Sequence, residues 1–258
     1  INQLHAQDMQ EIVLTGVHVG GYGSDLDSSL YALVQAVLQE TQIPRIRFAS
    51  VEPWDLPTNF FELFLNPRIM PHMHLPIQSG ADSVLRRMAR RCKTTEFSEL
   101  ISQARQLVPN FNVTTDIIVG FPGETEQGWQ QTLDFVAQMG FGHIHIFSYS
   151  KREGTKAARL PEQVAEPLKK QRSQALHALA EQHKQAFLQQ QVGQTVPVLW
   201  EYARPLNETQ QLFTGYTPNY CKVQVIVDQH LDLSNKISQT YLQQVDTTES
   251  ALRGLLVC

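Results

Sequence analysis

The sequence predicts an α/β protein: parallel strand–helix units forming a barrel or open sheet over residues 1–191, then a small antiparallel barrel over 192–258. Two observations carry this. Five apolar, β-branched runs begin near residues 11, 45, 71, 113 and 143, each followed by a helix or loop, at intervals of 26 to 42 residues. That is the rhythm of parallel βα units. Beyond Val192 the pattern changes to short alternating strands over about 66 residues, the mark of a small antiparallel barrel of the oligonucleotide-binding kind.

Leu4 to Met9 reads as the last turns of a helix, and Glu11–Val17 as a buried strand. His18-Val19-Gly20-Gly21-Tyr22-Gly23 is then a loop. It lacks the Gly-Lys-Ser/Thr of a P-loop, which excludes that mode of nucleotide binding. Asp27-Ser28-Ser29 caps a helix bearing Leu30, Leu33, Val34, Val37 and Leu38. Arg45–Val51 is the second strand, and it ends at Glu52-Pro53. A carboxylate there suits a ligand amine or hydroxyl, and a solvated surface Glu is the plain alternative. A helix is expected near Pro57 to Leu65. Pro71–Ile77 ends in Gln78-Ser79, an amide and a hydroxyl at the same kind of position as Glu52. The next helix bears Arg86, Arg87, Arg90, Arg91 and Lys93, five cations in eight residues, stacked at i,i+4 if the helix runs through them. Such a surface suits phosphates, or simply complements a helix C-terminus.

After a helix from Thr95 to Leu107, Asn112–Val119 reads as a strand buried on both faces. Gly120-Phe121-Pro122-Gly123 turns the chain, and Thr125 caps a helix with Trp129, Leu133, Val136 and Met139 along one side. Strand, glycine turn and helix start can offer bare N–H groups to a ligand, or can be a tight connection only. His143 and His145 share one face of the fifth strand. With no third ligand in view, they read as core or lumen histidines in preference to metal ligands. A helix from Pro161 to about Gln191 braces the barrel. In the small barrel, Tyr216, Tyr220 and Lys222 are placed to stack bases and meet phosphate, or to serve as core.

A net charge of −4 and a pI near 6.1 make bulk attraction to nucleic acid a poor expectation, so a local patch must supply it. No run of 18 apolar residues exists and no membrane partner is expected. Cys92, Cys221 and Cys258 are separated by 128 and 36 intervening residues, too isolated for a disulfide framework or a local metal motif. A reducing, cytoplasmic setting is the default expectation. The start, INQLHAQDMQ, reads as the middle of a longer protein.

TGVHVGGYG, RIRFASVEPWDL, HLPIQSGADSVLRRMARR, TTDIIVGFPGET, FSYSKREGTKA and TGYTPNYCKVQV together resemble the tRNA methylthiotransferases of the radical S-adenosylmethionine superfamily, most closely the branch acting on N6-threonylcarbamoyladenosine. The resemblance implies a partial parallel barrel and a C-terminal TRAM domain that binds RNA. It also implies tRNA as partner and S-adenosylmethionine across the strand ends, near Glu52, Gln78, Ser79 and Gly120-Phe121-Pro122-Gly123. The family's CxxxCxxC loop for the 4Fe–4S cluster, and the N-terminal domain with a second cluster, have no counterpart among these residues. The resemblance thus implies an iron–sulfur parent enzyme and an inactive fragment. The alternatives are a non-catalytic RNA-binding protein that keeps both barrels, or another substrate branch of the family. An open edge on the Glu11–Val17 strand would favour self-association.

Overall fold

The computed structural model describes residues 1–57 and 59–257. After a short helix α1 (Asn2–Ala6), the chain alternates β1 (Glu11–Leu14), α2 (Leu30–Glu40), β2 (Arg45–Phe48), β3 (His72–His74), α3 (Asp82–Arg87), α4 (Thr94–Leu107), β4 (Asn112–Val119), α5 (Glu126–Met139) and β5 (His143–Ser148). Every pairing is parallel. β1 lies beside β2 and β3-β4-β5 form one sheet, while the bridges Ile46–Ile69 and Ser50–His74 join the two groups in chain order. Crossovers through helices on one side curl such a sheet into an open barrel.

Alternation along the strands sorts the side chains. Val113, Thr115, Ile117 and Val119 are fully buried under the helices, whereas Asp116 and Ile118 on the opposite face keep solvent contact. β4 is therefore not equally buried on both faces as its composition predicts: its inner face lines a lumen that water reaches. Val13 and Phe147, 51% and 53% exposed, mark the open side. Outside the sheet, Phe48, Phe60, Phe61, Phe64 and Phe111 form one aromatic cluster with centroids 5.0–6.1 Å apart.

Local signals hold at several helix starts. Ser29 accepts the Ala32 N–H at 3.1 Å, and Thr125 accepts the Gly128 N–H at 3.1 Å. β1, β2 and β3 are shorter than the expected strands Glu11–Val17, Arg45–Val51 and Pro71–Ile77, and three helical boundaries differ as well. The segment expected as a helix near Pro57 to Leu65 is a 3₁₀ turn over Phe60–Leu65, with Thr58 outside the described residues. α3 stops at Arg87, because Ala89 takes φ +56° and the chain leaves the helix there. Arg90, Arg91 and Lys93 lie in the following loop, so the i,i+4 stacking of 86/90 and 87/91 does not form. The long helix α6 (Glu166–Gln191) starts with Pro167 in its first turn, while Pro161 sits in the preceding turn, where Glu162 has φ +60°.

At about 1.5 Å per residue, α6 spans roughly 39 Å and serves two cores. Leu176 and Ala180 pack into the parallel barrel; Leu188 packs with Val198, Trp200, Phe213, Val223 and Leu242. That second core belongs to a closed five-strand barrel of β6 (Thr195–Pro205), β7 (Gln210–Tyr216), β8 (Lys222–Asp228), β9 (Ile237–Asp246) and β10 (Ala251–Leu256), in the order β10-β8-β7-β6-β9. All its pairings are antiparallel except β10–β8, and closure leaves no free edge.

The turn between β7 and β8 plugs the N-terminal mouth of the parallel barrel. Arg45 donates to the Pro197 and Tyr216 carbonyls at 2.6 and 3.2 Å, and Arg47 to that of Pro218 at 3.1 Å. Asn112 donates to the Asn219 carbonyl at 2.8 Å, and Asn219 donates back to that of Asn110 at 3.3 Å. Tyr220 stacks on His72 and on Tyr216, at 4.7 and 4.8 Å, with the Arg47 guanidinium 4.7 Å from its ring centroid. Burial, and then the Arg47 cation, pushes His72 well below the usual imidazole range, so a neutral ring meets the tyrosine.

Candidate functional site

In a parallel barrel the strand C-termini share one face, where polar groups from distant parts of the sequence converge. Of the groups delivered there, Glu52 fits a ligand best. Its Oε2 is buried and has no hydrogen-bond partner among the described residues, an arrangement that favours an incoming N–H or O–H. Beside it, His18 Nε2 lies 2.7 Å from Asp55 Oδ2, and the hydrogen bond and charge of Asp55 raise the imidazole pKa. Gly20 is needed here: a Cβ would fall 2.7 Å from that of Asp55. The Tyr149 hydroxyl at the end of β5 is a second buried group with no partner among the described residues, and sequence reasoning passes over it within Ser148–Ser150.

The remaining candidates are used differently from expectation. Gln78 has φ +79°; its N–H reaches the Asp116 carbonyl and its carbonyl accepts from Ile118, so its backbone extends the sheet. Ser79 is fully buried. Its hydroxyl accepts the Ala81 N–H at 3.2 Å and meets Thr132 at 3.3 Å, which ties α3 to α5 and leaves no free hydroxyl for a ligand. The glycine turn does have the required backbone, with φ +74° at Gly120 and +84° at Gly123. Its donors are nonetheless taken: Gly120 N–H by the Glu124 carboxylate at 3.0 Å, Gly123 N–H by the Glu162 carbonyl at 2.9 Å. Phe121 and Pro122 are buried, and Lys169 and Arg87 lie directly over the two glycines. The turn thus offers shape, and these two N–H groups are spent inside the chain.

Arg86, Arg90, Arg91 and Lys93 line one cleft of about 150 Å³. Among the described residues the three arginines form no ion pair, whereas Arg87 is held by Glu162 at 2.6 Å. On the second barrel, Lys222 lies 3.4 Å from Glu249, and residues 192–258 carry four Lys/Arg against six Asp/Glu. Tyr216 and Tyr220 stack on each other where the barrels dock, Tyr220 stays 44% exposed, and the module around them is acidic.

Within the lumen, His145 meets two residues that sequence reasoning does not bring to it, and His143 is not part of the group. His74, Asp116 and His145 bring one ligand atom each to within 4.8 Å of the others. Cysteines do not gather. Cys92 lies in the first core and Cys221 in the second, burial pushes both thiols up to about 12, and Cys258 lies outside the described residues. A 4Fe–4S cluster needs a set of thiolates, and these two residues do not fit one.

The family model of the radical SAM superfamily matches residues 3–136, from α1 through all but the last turn of α5. The chain belongs to the radical SAM superfamily. Over 224 residues it is 38% identical to the threonylcarbamoyladenosine tRNA methylthiotransferase MtaB of Bacillus subtilis (strain 168), covering 86% of this chain and 50% of that protein. The protein of the same name from Thermotoga maritima is 37% identical over 250 residues, 96% of this chain and 55% of its own. The tRNA-2-methylthio-N(6)-dimethylallyladenosine synthase of Staphylococcus saprophyticus is 36% identical over 220 residues, 84% and 42%. The chain spans about half the length of the curated relatives it matches. Among the described residues, no helix is long and apolar enough to cross a membrane.

Proposed function

We propose that this chain is the barrel and RNA-binding part of a cytoplasmic enzyme that adds a methylthio group to C2 of N6-threonylcarbamoyladenosine beside the tRNA anticodon. The observation that carries the reading is the similarity to the Thermotoga protein of that specificity, which runs through 96% of the chain and both barrels. The Bacillus subtilis protein of the same name is 38% identical over 86% of the chain, against 36% over 84% for the dimethylallyladenosine synthase. On this reading the second barrel is a TRAM domain.

S-adenosylmethionine supplies the radical chemistry when bound. Glu52 would hold it through the free carboxylate oxygen, accepting from an amine or a ribose hydroxyl. Gln78, with Ser79 fixing its neighbour strand end, and the Gly120–Gly123 turn would wall the site. The 4Fe–4S clusters rest on thiolates supplied by the parent protein outside these 258 residues, and the chain alone is inactive in methylthiolation. Its open β1 edge is a surface for association with another chain.

The Arg86–Lys93 cleft is the part of the chain that would meet tRNA. Reversing Arg86, Arg90 and Arg91 to Glu is expected to weaken binding to any tRNA and to flatten its salt dependence, by roughly 0.7–0.9 in log–log slope for each phosphate no longer neutralised. Filter binding across a salt series measures both. Unchanged affinity with an unchanged slope would reduce the cleft to helix-end charges and remove it from the RNA surface.

A further inference from the structure

His74, Asp116 and His145 sit on three successive strands, and the register holds them together. Thr114 is the Cα partner of His74 on one side, and Asp116 is the partner of His145 on the other. All three side chains face the lumen. His74 Nε2 is 3.2 Å from Asp116 Oδ1, and the His74 and His145 rings meet edge to face at 5.5 Å. The other ring nitrogen of His74 is hydrogen-bonded to Thr114 Oγ1 at 3.0 Å. Such an outer hydrogen bond fixes the ring and aims the opposite nitrogen, as it does for metal-bound imidazoles. The ligand-bearing atoms hang from three hydrogen-bonded strands, so their spacing is set by the sheet and not by loops.

The rival cluster at His18, Glu52 and Asp55 is not held by strand register. His18 lies on a glycine-rich loop and is already locked to Asp55, and Glu52 belongs to the proposed cofactor face. Two imidazoles and one carboxylate on one side of the barrel lumen form the donor set used for Zn²⁺ and for divalent iron, which leaves coordination positions for other ligands.

We propose that His74, Asp116 and His145 bind one divalent transition-metal ion, leaving coordination positions open to the lumen. The inference goes beyond methylthiolation and does not depend on it, since it is tested by binding alone. The full 258-residue chain, stripped with chelator, is titrated with Zn²⁺ by calorimetry and with Co²⁺ by visible absorbance. The expected result is one equivalent bound, with Co²⁺ d–d bands and no sulfur charge-transfer band. Asp116→Asn and His145→Gln should each lower the affinity at least about tenfold, the scale on which metal sites respond to loss of a supporting group, while His18→Gln should not change it. His145 is exposed, so its variant leaves the core intact, and a circular dichroism spectrum verifies this. Binding of less than one equivalent by the unmodified chain overturns the proposal. So does wild-type affinity in His145→Gln, or loss of binding in His18→Gln alone.

Discussion

Replacing Arg172 by Met is expected to destabilise the chain by about 3–5 kcal/mol at neutral pH, the cost of leaving one partner of a buried ion pair uncompensated. The guanidinium is 3% exposed and donates to Glu124 Oε1 at 2.7 Å, to the Glu124 carbonyl at 3.1 Å and to Glu126 at 2.8 Å. It thereby ties α6 to the turn after β4. Burial pushes the Glu124 carboxyl above the usual range, and Arg172 works against that rise. In the variant only the Gly120 N–H remains to hold the charge, so the folded carboxyl binds its proton more readily than the unfolded one. Native protein then carries more protons than unfolded protein, and stability falls as pH rises through the folded pKa. Urea unfolding should therefore show a smaller gap between variant and parent at about pH 5 than at about pH 8. Adding Glu124→Gln should recover part of the loss. An equal gap at both pH values would contradict the assignment.

The second large effect is expected at Arg45, which joins the two barrels. It is 3% exposed, and burial pushes its guanidinium down to about 10, still protonated at neutral pH. Arg45→Met removes two charged hydrogen bonds to carbonyls of the second barrel, worth about 1.5–3 kcal/mol each. Glu11 keeps its pairing with Arg47 at 2.8 Å, so the loss falls on docking more than on the parallel sheet. Each barrel has its own core. Calorimetry should accordingly resolve two thermal transitions where the parent protein shows one. A single transition at the parent temperature would show that the plug at the barrel mouth does not couple the two units.

Much of this architecture is legible because it is local. The β-branched runs, the Gly120 and Gly123 turn and the caps at Ser29 and Thr125 each act within a few residues of themselves. What escapes the sequence depends on distant partners. The chain breaks α3 at Ala89 and α4 begins at Thr94, whose N–H meets Asp82 Oδ1 at 2.9 Å, while the Glu96 carboxylate accepts the Lys93 N–H at 3.1 Å. A run of arginines carries no sign of that break. Tyr216 and Tyr220 have the chemistry of a base-stacking pair, and only the docked barrel reveals that the Tyr220 ring meets His72 and Arg47 while Tyr216 packs behind it. His74, Asp116 and His145 lie 42 and 29 positions apart, and their meeting follows from strand register. One signal is present in the sequence: the alternation His72-Met73-His74 on β3 matches His143-Ile144-His145 on β5, which places imidazoles on the same face of two strands either side of β4.

The central functional claim is a substrate assignment, and total tRNA reads it directly. Deleting the gene that encodes this chain and digesting tRNA to nucleosides for mass spectrometry should abolish 2-methylthio-N6-threonylcarbamoyladenosine, with N6-threonylcarbamoyladenosine accumulating in its place. Undiminished 2-methylthio-N6-threonylcarbamoyladenosine, with or without loss of the methylthio derivative of dimethylallyladenosine, would contradict it.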